Sequence, residues 1–102
     1  MLVHGPFEID EEELIVRRAG VAIPVQRRVL ATLIYLMRRA GRLVSRDELI
    51  AGPWGGVAVS EAPIHRAIML ARRVLQTDGA PSPIETVRGS GFRFTGAEIG
   101  RS

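Results

Sequence analysis

The sequence predicts an α+β fold: an antiparallel sheet over residues 1–25, three helices over 26–76 and a closing β-hairpin over 84–95. Two changes of hydrophobic period and one glycine pair carry that reading. Apolar residues alternate as far as Val25, recur at three- and four-residue spacings from Val29, and alternate again around Gly89-Ser90-Gly91. The chain has 102 residues, the size of one domain with one core. That domain is expected to fill 1–96, with 97–102 a tail or linker.

In the first quarter, Phe7 and Ile9, then Leu14 and Val16, then Val21, Ile23 and Val25 alternate with polar or small residues. The turns fall at residues 10–13 and at Ala19-Gly20, giving a small antiparallel meander. From Gln26 the period becomes helical, because Val29, Leu30, Leu33, Ile34, Leu36 and Met37 share one face, and Gly41 supplies a C-terminal stop. The first helix is therefore expected over 26–40. "SRDEL" opens a second, with Ser45 as N-cap and Glu48 three residues on, as in a capping box, and Gly52-Pro53 ends it. Ser60 is the expected N-cap of a third helix over 61–76. Pro63 fits its first turn, where no intrahelical N–H bond is lost. Trp54, in the loop between, is expected in the core.

Charge narrows the function classes. Residues 1–25 hold five acids and two arginines, whereas the rest holds twelve arginines and six acids. An anionic partner is therefore sought in the last three quarters of the chain. All fourteen basic residues are Arg, a composition equally expected from a GC-rich genome. No cysteine is present, so disulfides and thiolate metal sites are excluded. The longest apolar run, 29–37, is far short of the roughly 20 residues that span a bilayer, and the first ten residues do not resemble a secretory signal. No membrane segment is expected, and a cytoplasmic location is.

Nothing points to an enzyme, a metal or a cofactor. His4 and His65 stand in no ligand spacing, and the 10–13 acidic run lacks the alternating ligands and glycine of a calcium loop. Ser45 and Ser60 have no paired base.

On a helical projection of the third helix, Ile64, Ala67, Ile68, Ala71, Val74 and Leu75 form the apolar arc. His65, Arg66, Met69, Arg73 and Gln76 form the opposite one, with Leu70 and Arg72 at its edges. Preceded by a short capped helix, such a helix suits the major groove, where guanidinium groups pair with guanine edges or grip phosphate. In the hairpin, Val87, Phe92 and Phe94 are expected to face the core, and Thr86, Arg88, Arg93 and Thr95 to face out. The glycines at its tip leave room for close approach to another backbone.

"GPFEID", "GRLVSRDELI" with Trp54-Gly55, "VSEAPIHRAIMLARRVL" and "IETVRGSGFRF", in that order, resemble the OmpR/PhoB-type winged-helix DNA-binding domain. The resemblance runs over about 5–95. It is nearest the branch that carries this domain at the N-terminus of the polypeptide without a receiver domain. It implies a winged helix-turn-helix in a bacterial transcription regulator that binds double-stranded DNA sequence-specifically. His65, Arg66, Met69, Arg72 and Arg73 would then act from the recognition helix, and Arg88, Gly89, Ser90 and Arg93 from the wing. Arg27, Arg28 and Arg46 would add phosphate contacts from other helix starts. The loop 52–59, with Gly55, Gly56 and Val57, corresponds to a segment through which some members touch RNA polymerase, and family members commonly form head-to-tail dimers on DNA. The alternative is a winged-helix protein-interaction module using the Met69 and Leu70 face.

Overall fold

The computed structural model describes residues 1–56, 60–77, 79 and 81–96. A four-stranded antiparallel sheet comes first: β1 (Leu2–His4), β2 (Phe7–Asp10), β3 (Ile15–Arg18) and β4 (Val21–Ile23), in sequence order. Leu2 pairs with Ile9, Ile9 with Val16 and Val16 with Ile23, which stacks four apolar side chains on one face. On the other face Glu8 pairs with Arg17. The β2–β3 turn is closed by the Asp10 carboxylate, which accepts from the backbone N–H groups of Glu12 and Glu13 at 3.0 Å each. The Glu13 N–H in particular holds the Asp10 pKa below its ordinary value.

Two strands escape the sequence reading. β1 is three residues long and β5 (Leu43–Val44) only two, so neither shows a full period of alternation. The fourth strand also stops earlier than Val25, because Pro24 has no N–H for a ladder.

The helices are α1 (Arg27–Arg38), α2 (Arg46–Ala51) and α3 (Glu61–Val74), each close to its expected span. Val29, Leu30, Leu33, Ile34, Leu36 and Met37 are buried along α1, which packs on α3. Trp54 is buried as expected, with its Nε1–H donating to Thr32 Oγ1 at 3.1 Å. Past the end of α1, Gly41 takes φ +82° and its N–H donates to Phe94 O at 2.8 Å, tying the helix exit to the last strand.

The second half of the expected capping box is not formed. Ser45 Oγ accepts from the Glu48 N–H at 3.1 Å, but the Glu48 side chain turns away from Ser45. Its Oε2 accepts from Tyr35 Oη at 2.8 Å and from both terminal nitrogens of Arg42 at 2.9 Å, with Arg39 Nε at 3.6 Å. Arg42 first, then Tyr35, holds the Glu48 carboxyl below its ordinary 4.5. This stabilisation is present above pH 4.5 and is lost as pH falls through the lower folded value. The urea midpoint of wild type should therefore exceed that of Glu48→Gln near neutrality, with the gap closing below pH 4.5. A gap constant across that window would contradict the ionic account.

The second sheet, in order β5-β7-β6, joins β6 (Ile84–Val87) and β7 (Gly91–Phe94) to β5. Phe92 and Phe94 are buried as expected, but the register corrects the expected faces of β6. Ile84 pairs with Phe94 and Thr86 with Phe92, so Thr86 shares the Phe92 face, while Val87, Glu85 and Arg93 lie on the other. The three-residue turn 88–90 sets this register, with the Ser90 N–H donating to Val87 O at 2.9 Å.

Candidate nucleic-acid interface

α3 is held from one side and open on the other. Ile64, Ala67, Ile68 and Ala71 are buried, with Leu75 at its end. His65, Arg66, Met69 and Arg73 are exposed, Met69 to 49%. Spacings of three and four residues place them along one open strip of the helix. Pro63 sits inside the first turn without breaking it, and Ser60 is the N-cap without making a side-chain cap bond.

A concavity flanks the strip on each side. On the hairpin side, a cleft of about 430 Å³ is lined by Ser45, Arg46, Glu61, His65, Arg88 and Phe92, among others. There Arg46 Nη1 lies 2.6 Å from Glu61 Oε1, and His65 Nε2 lies 3.7 Å from the same oxygen. The His65 ring rests edge-on against Phe92, 5.7 Å between centroids. On the β4 side, a groove of about 360 Å³ has Ile23, Val29, Leu70 and Val74 in its wall and Arg66 and Arg73 beside it.

The remaining expected residues divide by engagement. Arg88, Gly89 and Ser90 form the exposed hairpin tip, and Gly89 takes φ +76°, as a tight turn requires. Arg27 is exposed at the start of α1, and the Arg28 guanidinium lies 4.8 Å from the centroid of the Trp54 ring. Gly55 and Gly56 turn with φ +66° and +79° after Trp54, while Val57 lies outside the described residues.

Three residues depart from the roles expected of them. Arg72 is half-buried and used inside the chain: its Nε donates to Ile84 O at 3.1 Å and its Nη2 to Thr86 Oγ1 at 2.5 Å. It ties α3 to β6. Arg72→Ala should lower stability by about 1–3 kcal/mol, measured as a shift in the urea midpoint; an unchanged midpoint would contradict this structural role. Arg93 is half-buried opposite Leu43, with Nε 3.2 Å from Glu85 Oε1 but not aligned for a hydrogen bond, so it lies on the body of the hairpin and not its tip. Leu70 is not an exposed leucine, since it packs against the core.

Glu61 is the residue that sequence reasoning passed over, and for Gly91, expected to allow close approach to another backbone, the structure shows which backbone that is. Glu61 stands four residues before His65, a helical pairing distance, and that spacing was its signal. Gly91 has φ +146°, and a Cβ on it would lie 2.9 Å from Ser45 Cα and nearer still to Val44 O. The backbone it must approach is the chain's own.

Among the described residues no helix is long and apolar enough to cross a membrane, and no group of three or more His, Cys, Asp and Glu is placed to hold a metal ion.

A four-stranded antiparallel sheet, three helices of which the third bears an open cationic strip, and a hairpin beside that strip define a winged helix-turn-helix fold. The comparison with protein families narrows this further: the family described as "Transcriptional regulatory protein, C terminal" matches residues 20–94. The chain belongs to this OmpR/PhoB-type family.

Curated relatives include the transcriptional regulator HilA of Salmonella typhi, 34% identical over 77 residues, which are 76% of this chain and 14% of HilA. The sensory transduction protein RegX3 of Mycobacterium tuberculosis is 32% identical over 100 residues, 94% of this chain and 43% of RegX3. The chain thus spans less than half of either relative. Among solved structures, the DNA-binding domain of E. coli CadC matches with TM-score 0.81 at 23% identity, covering 92% of this chain and 90% of that one, a likeness of fold. The Klebsiella pneumoniae RstA DNA-binding domain, in complex with RstA box, matches with TM-score 0.75 at 26% identity, covering 92% and 96%.

Proposed function

We propose that this domain binds double-stranded DNA sequence-specifically on behalf of a bacterial transcription regulator. The observation that carries the proposal is the open strip of His65, Arg66, Met69 and Arg73 on α3, flanked by a hairpin with Arg88 exposed at its tip. A helix about 10–12 Å across fills a major groove of similar width. Arg66 and Arg73 then meet base edges or phosphates, and Arg88 with Gly89 and Ser90 reaches the adjacent minor groove or backbone, where negative potential attracts arginine. Arg27, Arg28 and Arg46 add phosphate contacts that fix orientation. Such a role places the protein in the cytoplasm with the chromosome. The loop through Gly55 and Gly56 is the proposed surface for RNA polymerase, and a head-to-tail homodimer on repeated half-sites is the proposed assembly.

Arg88→Ala tests the wing. Anisotropy titration against a duplex should show weaker binding and a log K against log salt slope smaller by about 1 if Arg88 neutralises one phosphate. Unchanged affinity and slope would remove the wing from the interface.

Of the apolar patch that a protein-interaction reading would use, Met69 is exposed, whereas Leu70 is half-buried against the core in the wall of the β4-side groove. Met69→Arg separates the two readings. It should preserve or strengthen DNA binding, whereas it should disrupt an apolar protein contact centred there.

A further inference from the structure

Within the cationic surface, the 430 Å³ cleft beside the wing contains a carboxylate that the DNA-binding reading leaves without a role. Glu61 lies in the first turn of α3 with its side chain 65% exposed, and one of its oxygens faces both Arg46 and His65. A carboxylate only accepts hydrogen bonds, and near phosphates it repels. By pairing with Arg46 at 2.6 Å, Glu61 also offsets part of the charge that this guanidinium brings to a phosphate. Both effects oppose binding to DNA of arbitrary sequence. They are offset where the groove offers an amino group to the free lone pairs, as cytosine N4 does to an acidic side chain.

We infer that Glu61 is a specificity-determining residue, which accepts from a cytosine amino group in the major groove and penalises duplexes that lack one at that position. The inference rests on the DNA-binding reading proposed above. Its chemistry separates acid, amide and alkyl side chains. Glu61→Ala has no acceptor and should bind all four bases at that position alike. Glu61→Gln presents both an acceptor and a donor, the pair that suits adenine N6 and N7, and should move the preference from cytosine to adenine. Both variants should grip a scrambled duplex more tightly than wild type does.

The experiment is selection from a random duplex pool with wild type, Glu61→Ala and Glu61→Gln, followed by anisotropy titration of the selected and scrambled duplexes at one salt concentration. Thermal midpoints of the three proteins establish that each is folded. The expected result is a wild-type motif with one cytosine preferred by about tenfold, lost in Glu61→Ala and replaced by adenine in Glu61→Gln. A wild-type motif retained at every position by both variants would overturn the inference while leaving the DNA-binding reading intact. Tighter binding to the scrambled duplex with all preferences retained would overturn it equally, reducing Glu61 to a bulk charge. No wild-type motif at all would overturn the reading itself and the inference with it.

Discussion

Gly91→Ala is expected to destabilise the domain by about 3 kcal/mol or more, and to weaken DNA binding through loss of the wing. The residue begins β7 at φ +146°, a conformation that side chains rarely adopt. A methyl group there would meet Val44 O, Val44 C and Ser45 Cα, all backbone atoms that cannot rotate aside. Relief requires separating β7 from β5, whose ladder pairs Leu43 with Arg93 and Val44 with Phe92. That ladder anchors the hairpin to the start of α2, so its loss frees the wing from the helices. Gly89 provides the internal control. Its φ of +76° is also positive, but a Cβ there meets nothing within 4 Å. Gly89→Ala should therefore cost only the local backbone strain, about 1–2 kcal/mol. Urea denaturation of both variants measures the difference, and equal midpoints would contradict the tight seating of Gly91 on β5.

Replacing Arg66 and Arg73 together with Ala should weaken specific DNA binding by about 2–6 kcal/mol if each arginine makes a bidentate contact and the two add. Stability should change little, since both side chains are exposed. The pair stands seven residues apart, two turns along the open strip, which suits contacts to successive base pairs or to a base and its phosphate. Anisotropy against a selected site and a scrambled duplex separates the two. Loss of discrimination together with affinity indicates base contacts, whereas a uniform loss with a shallower salt dependence indicates phosphates. Binding unchanged in the double variant would take this strip out of the interface.

The helical portion was legible in the sequence because it obeys one period over several turns. α1 and α3 bury the residues that a 100° projection puts inside, Val74 alone being half-buried, and the breaks at Gly41 and Gly52-Pro53 fall where the chain turns. The short strands were not legible: β5 exists because β7 pairs with it, a long-range fact that two residues cannot encode. Within the hairpin only Thr86 and Val87 exchanged faces, for a related reason, while Phe92 and Phe94 are buried as expected. Alternation runs through 84–94 without showing how many residues the turn consumes, and a three-residue turn places Thr86 opposite Phe92.

The candidate interface was partly legible for the same kind of reason. Projection puts His65, Arg66, Met69 and Arg73 on the open side of α3, and the structure leaves them exposed. It cannot tell that β6 comes within reach of Arg72, or that Leu70 packs against the core in the wall of the groove beside β4. Glu61 was overlooked because an acid in a helix's first turn already has a sufficient local explanation in the helix dipole. Its partners Arg46 and His65 become visible together only when α2 and the wing stand beside it.

The central claim is sequence-specific DNA binding by α3 and the wing. Selection of bound sites from a random duplex pool tests it most directly, followed by titration of the selected duplex and a scrambled one at several salt concentrations. The account predicts a recurring motif whose duplex binds at least about a thousandfold more tightly than the scrambled one at the same salt. No enrichment, with weak binding to both duplexes that disappears as salt rises, would contradict it and leave only a basic surface.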